Sequence, residues 1–457
     1  MKLVIAPDSS SNNYEEHKIL KESGIDVLVI DHHDAEKISQ YACVINNQLC
    51  NYPTKSLSGV GMVYKFCQRI DQWMNVEYAD LFVDLVALGL VADMMDLRDY
   101  ETRRLVDRGL NNIRNPYFKE MVNRQAHPLR DGITPFGIAF YIAPYVNATV
   151  RSGTQNEKLI LFESMLDYRG YELIPSTKRG CSGQIETRVE QACRNCMNIK
   201  NRQTNTRDQS LNVIKRIIEE KELLKNKILI ITLETDMATD KNLTGLIANE
   251  LANKLQRPTL ILNENKDMWE GSARGYDKSE LKDFKGFLME SGYFEYAEGH
   301  SNAFGAGIKK NKLDDFIQYS NNILANFDFT PCYNVDLIYA GVNLEKKDIL
   351  DLAGLKFIWG QGVEEPLIAI EHLNIHAGEL QLMSRDKNPT LKITLPNGMS
   401  LIKFRSSEEE YESLYSETGC VTINLIGKPE QNIWNGIISP QIMIEDYEIV
   451  DKKKYYF

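Results

Sequence analysis

The sequence contains no long uninterrupted hydrophobic run. No segment reaches the roughly 18 apolar residues that a membrane-spanning helix needs. The opening MKLVIAPDSS has too short an apolar core for a secretory leader. These absences predict a cytoplasmic protein with no membrane partner. With 457 residues, 43% of them hydrophobic, the chain is long enough to bury a large core.

Positive charge and cysteine are also scarce. The chain has 53 Lys and Arg against 64 Asp and Glu, a formal net charge of -11. Binding to nucleic acid through overall charge is thereby excluded, and any such contact needs a local basic groove. The eight cysteines are irregularly spaced, which indicates free thiols in a reducing compartment. The close pair Cys193 and Cys196 has no second pair to complete a zinc site, so a structural role is favoured.

The N-terminal region reads as a strand, a helix and a second strand. MKLVIAPD predicts a strand ending at Asp8, YEEHKILKESGI an amphipathic helix stopping near Gly24, and DVLVIDHH the next strand. The two strands of such a unit are expected to be parallel. Because functional side chains gather at the carboxyl ends of parallel strands, Asp8 should lie close to Asp31, His32 and His33.

The Asp-His-His run has two interpretations. In the first, the histidine pair makes hydrogen bonds in a core, since neighbouring strand residues point to opposite faces. In the second, the strand has ended, the chain turns, and both imidazoles serve a metal centre. Imidazole with carboxylate suits Mn²⁺ or another divalent ion, and a carboxylate beside a histidine fixes its tautomer. The proximity of Asp8 favours the metal centre.

Two later segments add further candidates. The segment SLSGVGMVYKF predicts a helix with Ser58 at its cap and Gly59 and Gly61 in its first turn. Those glycines allow an anion to approach the backbone, although a plain tight turn has the same pattern. The apolar helix of LVALGLVADMMD precedes Asp93, which is either another metal ligand or a residue that caps a helix end.

The alternation of strand and helix patterns predicts an α/β protein of roughly three domains. A charged helix connects the first parallel-sheet domain to a second α/β module. Beyond Cys332, short alternating runs predict a small β-barrel. The predicted segments are 1–205 for the first domain, 206–225 for the connecting helix, 226–330 for the second α/β domain and 331–457 for the barrel.

The ordered motifs resemble those of the RecJ-type single-strand-specific exonucleases of the DHH phosphoesterase family. VIDHHDAE resembles the family signature, and LVALGLVADMMDLRDYETRRLV resembles the fourth motif. YIAPYVNATVRSG resembles a further segment, with Val150 where glycine is usual. RPTLILNENKDMWEGSARG and GHSNAFGAGI resemble the DHH-associated domain, with Glu298 in place of glycine. NIWNGIISPQ resembles the oligonucleotide-binding (OB) barrel, so the resemblance covers nearly the whole chain.

The resemblance implies roles for individual residues. Asp8, His32 and Asp93 would be metal ligands, with Mn²⁺ or Mg²⁺ as the cofactor. Asp31 would orient a ligand and His33 would face the phosphate, which makes these two the predicted catalytic residues. The predicted phosphate-binding residues form a larger set: Ser58, Gly59, Arg151, Ser272, Arg274, His300, Asn302 and Gly305. Arg274 suits that role, because a planar guanidinium binds phosphate with two hydrogen bonds.

The implied function is a metal-dependent exonuclease that degrades single-stranded DNA in the 5′→3′ direction during repair and recombination. The resemblance further implies a monomer, with a single-strand-binding protein or a helicase as a candidate partner. Two other functions stay open. One is a DHH phosphatase or oligonucleotidase for small substrates, and the other is a non-catalytic protein that binds single strands.

The sequence departs from the family pattern at its start. The family's first motif, a histidine followed by two aspartates, does not occur here. We therefore expect an N-terminally incomplete DHH domain that retains one of the two metal sites of the family, held by Asp8, His32 and Asp93. The second site would keep only Asp8, and we expect poor catalytic activity, because two metals share the work in such centres.

Overall fold

The computed structural model describes residues 2–130, 132–181, 183–235, 241–384, 388–417 and 419–454. They fall into two compact units. The first unit comprises Met1–Tyr52, Ile113–Ala126 and Tyr141–Cys332, and the second comprises Pro53–Asn112, His127–Phe140 and Tyr333–Phe457. Among the described residues, no helix has the length and hydropathy needed to cross a bilayer.

The α-helices of the described residues are, in chain order, α1 (Tyr14–Glu22), α2 (Gly59–Met74), α3 (Val83–Ala92), α4 (Tyr100–Leu110), α5 (Pro116–Arg124), α6 (Pro135–Tyr141), α7 (Ala143–Ser152), α8 (Gln155–Ser164), α9 (Arg188–Glu220), α10 (Lys241–Leu255), α11 (Phe284–Glu290), α12 (Leu313–Ile323), α13 (Lys346–Ala353) and α14 (Glu408–Leu414).

The strands of the described residues are β1 (Leu3–Pro7), β2 (Asp26–Asp31), β3 (Cys43–Asn46), β4 (Leu173–Pro175), β5 (Ile185–Thr187), β6 (Leu229–Leu233), β7 (Thr259–Asn265), β8 (Met268–Arg274), β9 (Phe294–His300), β10 (Ala303–Lys309), β11 (Leu337–Ala340), β12 (Ile368–His376), β13 (Leu380–Met383), β14 (Thr390–Thr394), β15 (Ser400–Phe404), β16 (Gly419–Trp434) and β17 (Ile437–Lys454).

The first unit contains a three-stranded parallel sheet in the order β1-β2-β3. The predicted strand, helix and strand are confirmed as β1, α1 and β2. The turn after α1 passes through Gly24 at φ 72°, a backbone conformation that glycine adopts without steric cost. Parallel pairing brings the carboxyl ends of all three strands to one edge of the sheet, where the candidate ligands lie.

A second sheet of the first unit has the order β6-β7-β8-β10-β9, with β6 and β7 parallel and the remaining pairs antiparallel. Alternate residues of β6 enter two hydrophobic clusters: Leu229 and Ile231 join one, and Ile230 joins the other. Since successive side chains of a strand point to opposite faces, β6 is buried on both sides of the sheet.

The long helix α9 begins at Arg188, so it extends well before the predicted connecting segment 206–225. A capping box explains its start, because Thr187 accepts from the Glu190 backbone while the Glu190 carboxylate accepts from Thr187. Cys193 and Cys196 lie buried on α9, and the Tyr117 hydroxyl donates to the Cys196 sulfur at 3.4 Å. Burial raises the pKa of the Cys193 thiol, which fits the structural role that the sequence favours.

The second unit combines helices α2, α3 and α4 with a seven-stranded sheet. The strand order is β11-β12-β16-β17-β15-β14-β13, and β16 and β17 form a long hairpin. Its turn is Asn435-Gly436, both at positive φ, the pair that such hairpin turns favour. A buried cluster of the described residues lies along these strands, which confirms a β-rich C-terminal region.

Candidate metal centre

Asp8 follows β1 and lies beside the end of β2. Its backbone N–H donates to the Ile30 carbonyl at 2.8 Å, which extends the strand pairing by one residue. The backbone then turns into the left-handed region, with φ 57°, a conformation that aspartate adopts more readily than most residues. The exposed Asp8 carboxylate lies 3.3 Å from Nε2 of the buried His32, so the predicted convergence of these two residues is confirmed.

Asp31 is the last residue of β2 and is almost fully buried. Its Oδ1 accepts from the His32 backbone at 2.8 Å and lies 2.7 Å from Nδ1 of His33, and its Oδ2 accepts from the Ser11 backbone at 3.1 Å. Burial raises the pKa of this carboxyl, but the hydrogen bonds from His33, Ser11 and His32 outweigh it and hold the pKa at about 2. Asp31 therefore stays ionised at neutral pH.

His33 joins the cluster as a further candidate ligand, and its predicted contact with the phosphate stays a prediction. The ligand atoms of Asp8, His32 and His33 all lie within 4.8 Å of one another, which makes three candidate ligands at one point. When Nδ1 of His33 donates to Asp31, the lone pair of Nε2 is left for an ion. One carboxylate and two neutral imidazoles are a donor set that suits Mn²⁺ and similar divalent ions. The residues present therefore fit such an ion.

Supporting side chains around the cluster were not predicted. Asn46 ends β3 and donates to the Ser11 hydroxyl at 2.8 Å and to the His33 carbonyl at 2.9 Å. The Ser10 hydroxyl pairs at 3.2 Å with Nε2 of the buried His17, whose pKa is lowered by burial against a smaller raising effect of Glu16. Applying the carboxyl-end rule to β3 as well as to β1 and β2 would have found Asn46.

His300 ends β9, and Asn302 lies in the tight turn that leads to β10. The His300 ring stacks on the His33 ring, with centroids 5.7 Å apart, so this predicted residue does lie beside the cluster. The Asn302 amide has local partners: it donates to Asp277 at 2.8 Å and to the Lys282 carbonyl at 3.0 Å. Asn302 thus ties the loop after β8 to the hairpin, and its predicted contact with phosphate stays a prediction.

Ser272, Arg274 and Gly305 lie on neighbouring strands of the five-stranded sheet. Gly305 pairs with Ser272 across β8 and β10, and the Ser272 hydroxyl lies 2.8 Å from that of Thr244 on α10. The half-buried Arg274 guanidinium donates to the Ala273 carbonyl at 2.7 Å. Burial lowers the pKa of Arg274, and the positive charge of Arg151 lowers it further. Two neighbouring cations of this kind suit an anionic ligand.

The remaining predicted residues belong to the second unit. Ser58 is the N-cap residue of α2, and its buried hydroxyl finds no partner among the described residues. Gly59 opens the helix and is also buried. Asp93 is an exposed residue at the C-cap of α3, where its N–H donates to the Gly89 carbonyl at 2.9 Å. Its role as a metal ligand stays a prediction.

Two family models match the chain. The DHH family, N-terminal domain, matches residues 2–90, and the RecJ OB domain matches residues 342–446. The putative SPbeta prophage-derived single-strand DNA-specific exonuclease YorK of Bacillus subtilis is 38% identical over 99% of this chain and 79% of its own length. The single-stranded-DNA-specific exonuclease RecJ of the same organism is 24% identical over 97% of this chain and 53% of its own length.

A solved structure shares the fold. The crystal structure of RecJ in complex with Mn²⁺ from Thermus thermophilus superposes with a TM-score of 0.73 at 16% identity. The match covers 99% of this chain and 62% of that one. The Mg²⁺ complex of RecJ from the same organism gives a TM-score of 0.66. The α/β architecture with a C-terminal OB domain is therefore confirmed.

Proposed function

This chain belongs to the RecJ-type branch of the DHH phosphoesterase family, and on that premise we propose that it is a metal-dependent exonuclease. Its substrate is single-stranded DNA, hydrolysed at phosphodiester bonds in the 5′→3′ direction, in DNA repair or recombination. The observation that carries the proposal is the cluster of Asp8, His32 and His33 at the carboxyl ends of parallel strands. The names of the similar exonucleases support the same activity.

In this proposal Asp8, His32 and His33 hold a Mn²⁺ or Mg²⁺ ion, and Asp93 is a further ligand. The metal-bound structures of RecJ from Thermus thermophilus support a divalent cation. When bound, such an ion lowers the pKa of water and polarises a phosphoryl oxygen. Asp31 keeps the His33 ring in one tautomer and one orientation through the 2.7 Å contact with Nδ1.

The other predicted residues bind the strand. Arg151 and Arg274 neutralise a phosphate, with the Ser272 hydroxyl and the His300 ring beside it. The N-terminus of α2 offers the Ser58 hydroxyl and the first backbone N–H groups of the helix to a second anion in the other unit. In the OB domain, Phe357 is 60% exposed and is available for base stacking, whereas Trp359 is only 3% exposed and belongs to the core.

The OB domain favours the exonuclease over a phosphatase for small substrates. The match to the RecJ OB domain covers residues 342–446, a module that binds oligonucleotides in its relatives. A small substrate gives such a domain nothing to bind. A purely binding role is disfavoured by the donor set of the cluster, since strand binding alone needs no paired imidazoles.

The test compares Asp8→Asn with Asp34→Asn. Asparagine tolerates the left-handed backbone of position 8 but loses the charge that the ion needs. Asp34 is exposed, lies two residues after His32 and is outside the cluster, so its variant is the matched control. With Mn²⁺ and a 5′-labelled single strand, Asp8→Asn should lower hydrolysis at least about a hundredfold, because the metal supplies several kcal/mol of transition-state stabilisation.

The control variant should hydrolyse the strand at the wild-type rate. Metal removal with EDTA should abolish activity of the wild-type chain, and Mn²⁺ should restore it. A wild-type chain that binds the strand but leaves it intact at saturating Mn²⁺ would refute the exonuclease proposal.

A further inference from the structure

A polar cleft runs between α9 and α10 in the first unit. It has a volume of about 200 Å³. Seven residues line it, four from α9 and three from α10: Lys200, Gln203, Thr204, Arg207, Leu246, Asn249 and Glu250. Six of the seven carry polar groups, and the two positive charges both come from α9. This cleft, named here the α9–α10 cleft, contains none of the residues that the sequence motifs point to.

The two cations of the cleft differ in their partners. Arg207 is paired with Asp208 at 2.7 Å and with Glu250 at 3.8 Å. The half-buried Lys200 ammonium contacts the neutral Gln203 oxygen at 3.4 Å, and no carboxylate of the described residues pairs with it. Burial lowers the pKa of Lys200, and the charges of Arg207 and Arg151 lower it further. An anion in the cleft would relieve that repulsion.

The cleft is continuous with the predicted phosphate-binding residues of the same unit. Arg151 is near enough to both Lys200 and Arg274 for its positive charge to lower the pKa of each. Next to Arg151, the Ser152 hydroxyl accepts from Nε2 of Gln203 at 3.3 Å, which fixes the end of α7 against α9.

Helix α10 makes the second connection. The Arg274 guanidinium packs closely against Gly245 of this helix. A Cβ atom at position 245 would lie 2.7 Å from Nη2 of Arg274. The next residue, Leu246, lines the cleft. One stretch of α10 thus borders both the Arg274 guanidinium and the cleft.

We propose that the α9–α10 cleft binds a backbone phosphate of the single strand beyond the scissile one, with Lys200 as its cationic ligand. The amide groups of Gln203 and Asn249 offer hydrogen bonds to the same phosphate or to the adjoining sugar. In a chain with a formal net charge of -11, Arg274, Arg151 and Lys200 form the local basic path that a phosphodiester backbone requires. The inference rests on the proposed function and extends the substrate contact by one subsite.

The test measures binding of a fluorescein-labelled 12-nucleotide oligothymidylate by anisotropy, in EDTA so that no turnover occurs. In Lys200→Gln, the slope of log affinity against log salt should become shallower by about 0.7, the contribution of one phosphate contact on a single strand. If the variant and the wild type bind equally at 1 M salt, this change of slope makes the variant bind about fivefold more weakly than the wild type at 0.1 M salt. Lys200→Arg keeps the charge and should restore the wild-type slope.

The matched control is Lys254→Gln, which replaces an exposed lysine in the last turn of α10, outside the cleft, and should bind like the wild type. Asn249→Asp is the second test variant. It is exposed, so folding is retained, and its added negative charge in the cleft should also weaken binding. Circular dichroism verifies the fold of each variant.

Wild-type slope and affinity in both Lys200→Gln and Asn249→Asp would overturn the inference. The outcome is separate from the activity test. A chain that binds the strand but does not hydrolyse it with Mn²⁺ would refute the exonuclease, while the salt slopes would still decide whether the cleft is a phosphate subsite.

Discussion

The two larger sheets of the first unit differ in how they are packed. In the three-stranded sheet, every residue of β1 is exposed or half-buried, and Leu3 and Ile5 are 50% and 54% exposed. In the five-stranded sheet, Leu260, Ile261 and Leu262 of β7 are all fully buried. Of the candidate metal ligands, Asp8 follows the exposed edge strand β1, whereas His32 and His33 follow β2, in which Val29 and Ile30 are buried. Ser272 and Arg274 belong to the densely packed five-stranded sheet.

This difference indicates two ways of holding a functional group. Arg274 and Ser272 are positioned by a rigid sheet whether or not a ligand is present. Asp8 is exposed and depends on one backbone hydrogen bond, a left-handed turn and its contact with His32. Binding of an ion should therefore order the three-stranded sheet and leave the five-stranded sheet unchanged. The reason is that an ion bound to the folded protein suppresses local unfolding of the segments that carry its ligands.

The largest effect is expected in the densely packed sheet. A Cβ atom at Gly271 would lie 2.0 Å from the Ile261 carbonyl oxygen. Because the neighbouring atom belongs to the backbone, only a shift of the backbone can remove this steric clash. We expect Gly271→Ala to lower the free energy of unfolding by about 1–3 kcal/mol or more, as measured by urea denaturation. Gly305→Ala is the control, since its nearest contact would be an ordinary 3.7 Å. Equal stability of the two variants would contradict the dense packing.

A smaller effect is expected from Mn²⁺ itself. Hydrogen exchange of the wild-type chain should slow in β1, β2 and the Asp8–Ser11 loop when Mn²⁺ is added, and should stay constant in β6 to β8. The reason is that the candidate ligands follow strands β1 and β2 of the three-stranded sheet. The same measurement on Asp8→Asn should show little response to Mn²⁺. Uniform protection of both sheets would mean that the ion acts on the whole unit.

The smallest effect is expected at Ile5. Its side chain is mostly exposed on β1, so Ile5→Thr removes little buried area and keeps a β-branched residue. The free energy of unfolding should change by no more than about 0.5 kcal/mol. A loss above about 1 kcal/mol in urea denaturation would show that β1 is packed more tightly than its exposure indicates.

Much of the first sheet and part of the site could be predicted from the sequence. Hydrophobic runs ending in Asp8 and in Asp31 to His33 predicted parallel strands, and topology alone then brought their ends together. The structure brings Asp8 and His32 together and adds His33 as a candidate ligand, while their roles as metal ligands stay predictions. The presence of His33 in the cluster depends on where β2 ends. Strand periodicity would put His32 and His33 on opposite faces, but the strand ends at Asp31, so both rings reach Asp8.

Other features depend on contacts between segments that are distant in the sequence. The Asn46 side chain reaches Ser11, 35 residues away, and the Lys200 cleft requires α9 and α10 to pack side by side. Neither is visible in a local pattern. The resemblance implies that Asn302 lies beside a phosphate, which stays a prediction, and no local pattern revealed its hydrogen bonds to Asp277 and Lys282. The 206–225 connecting segment and the other domain boundaries stay predictions.

The left-handed backbone at Asp8 has a practical consequence. Position 8 must satisfy two separate demands, a conformation open mainly to Gly, Asn and Asp, and a carboxylate for an ion. Glutamate meets only the second, so it is a poor replacement despite its charge. Asparagine meets only the first, which makes Asp8→Asn a suitable form of the protein for capturing an uncleaved strand in a crystal.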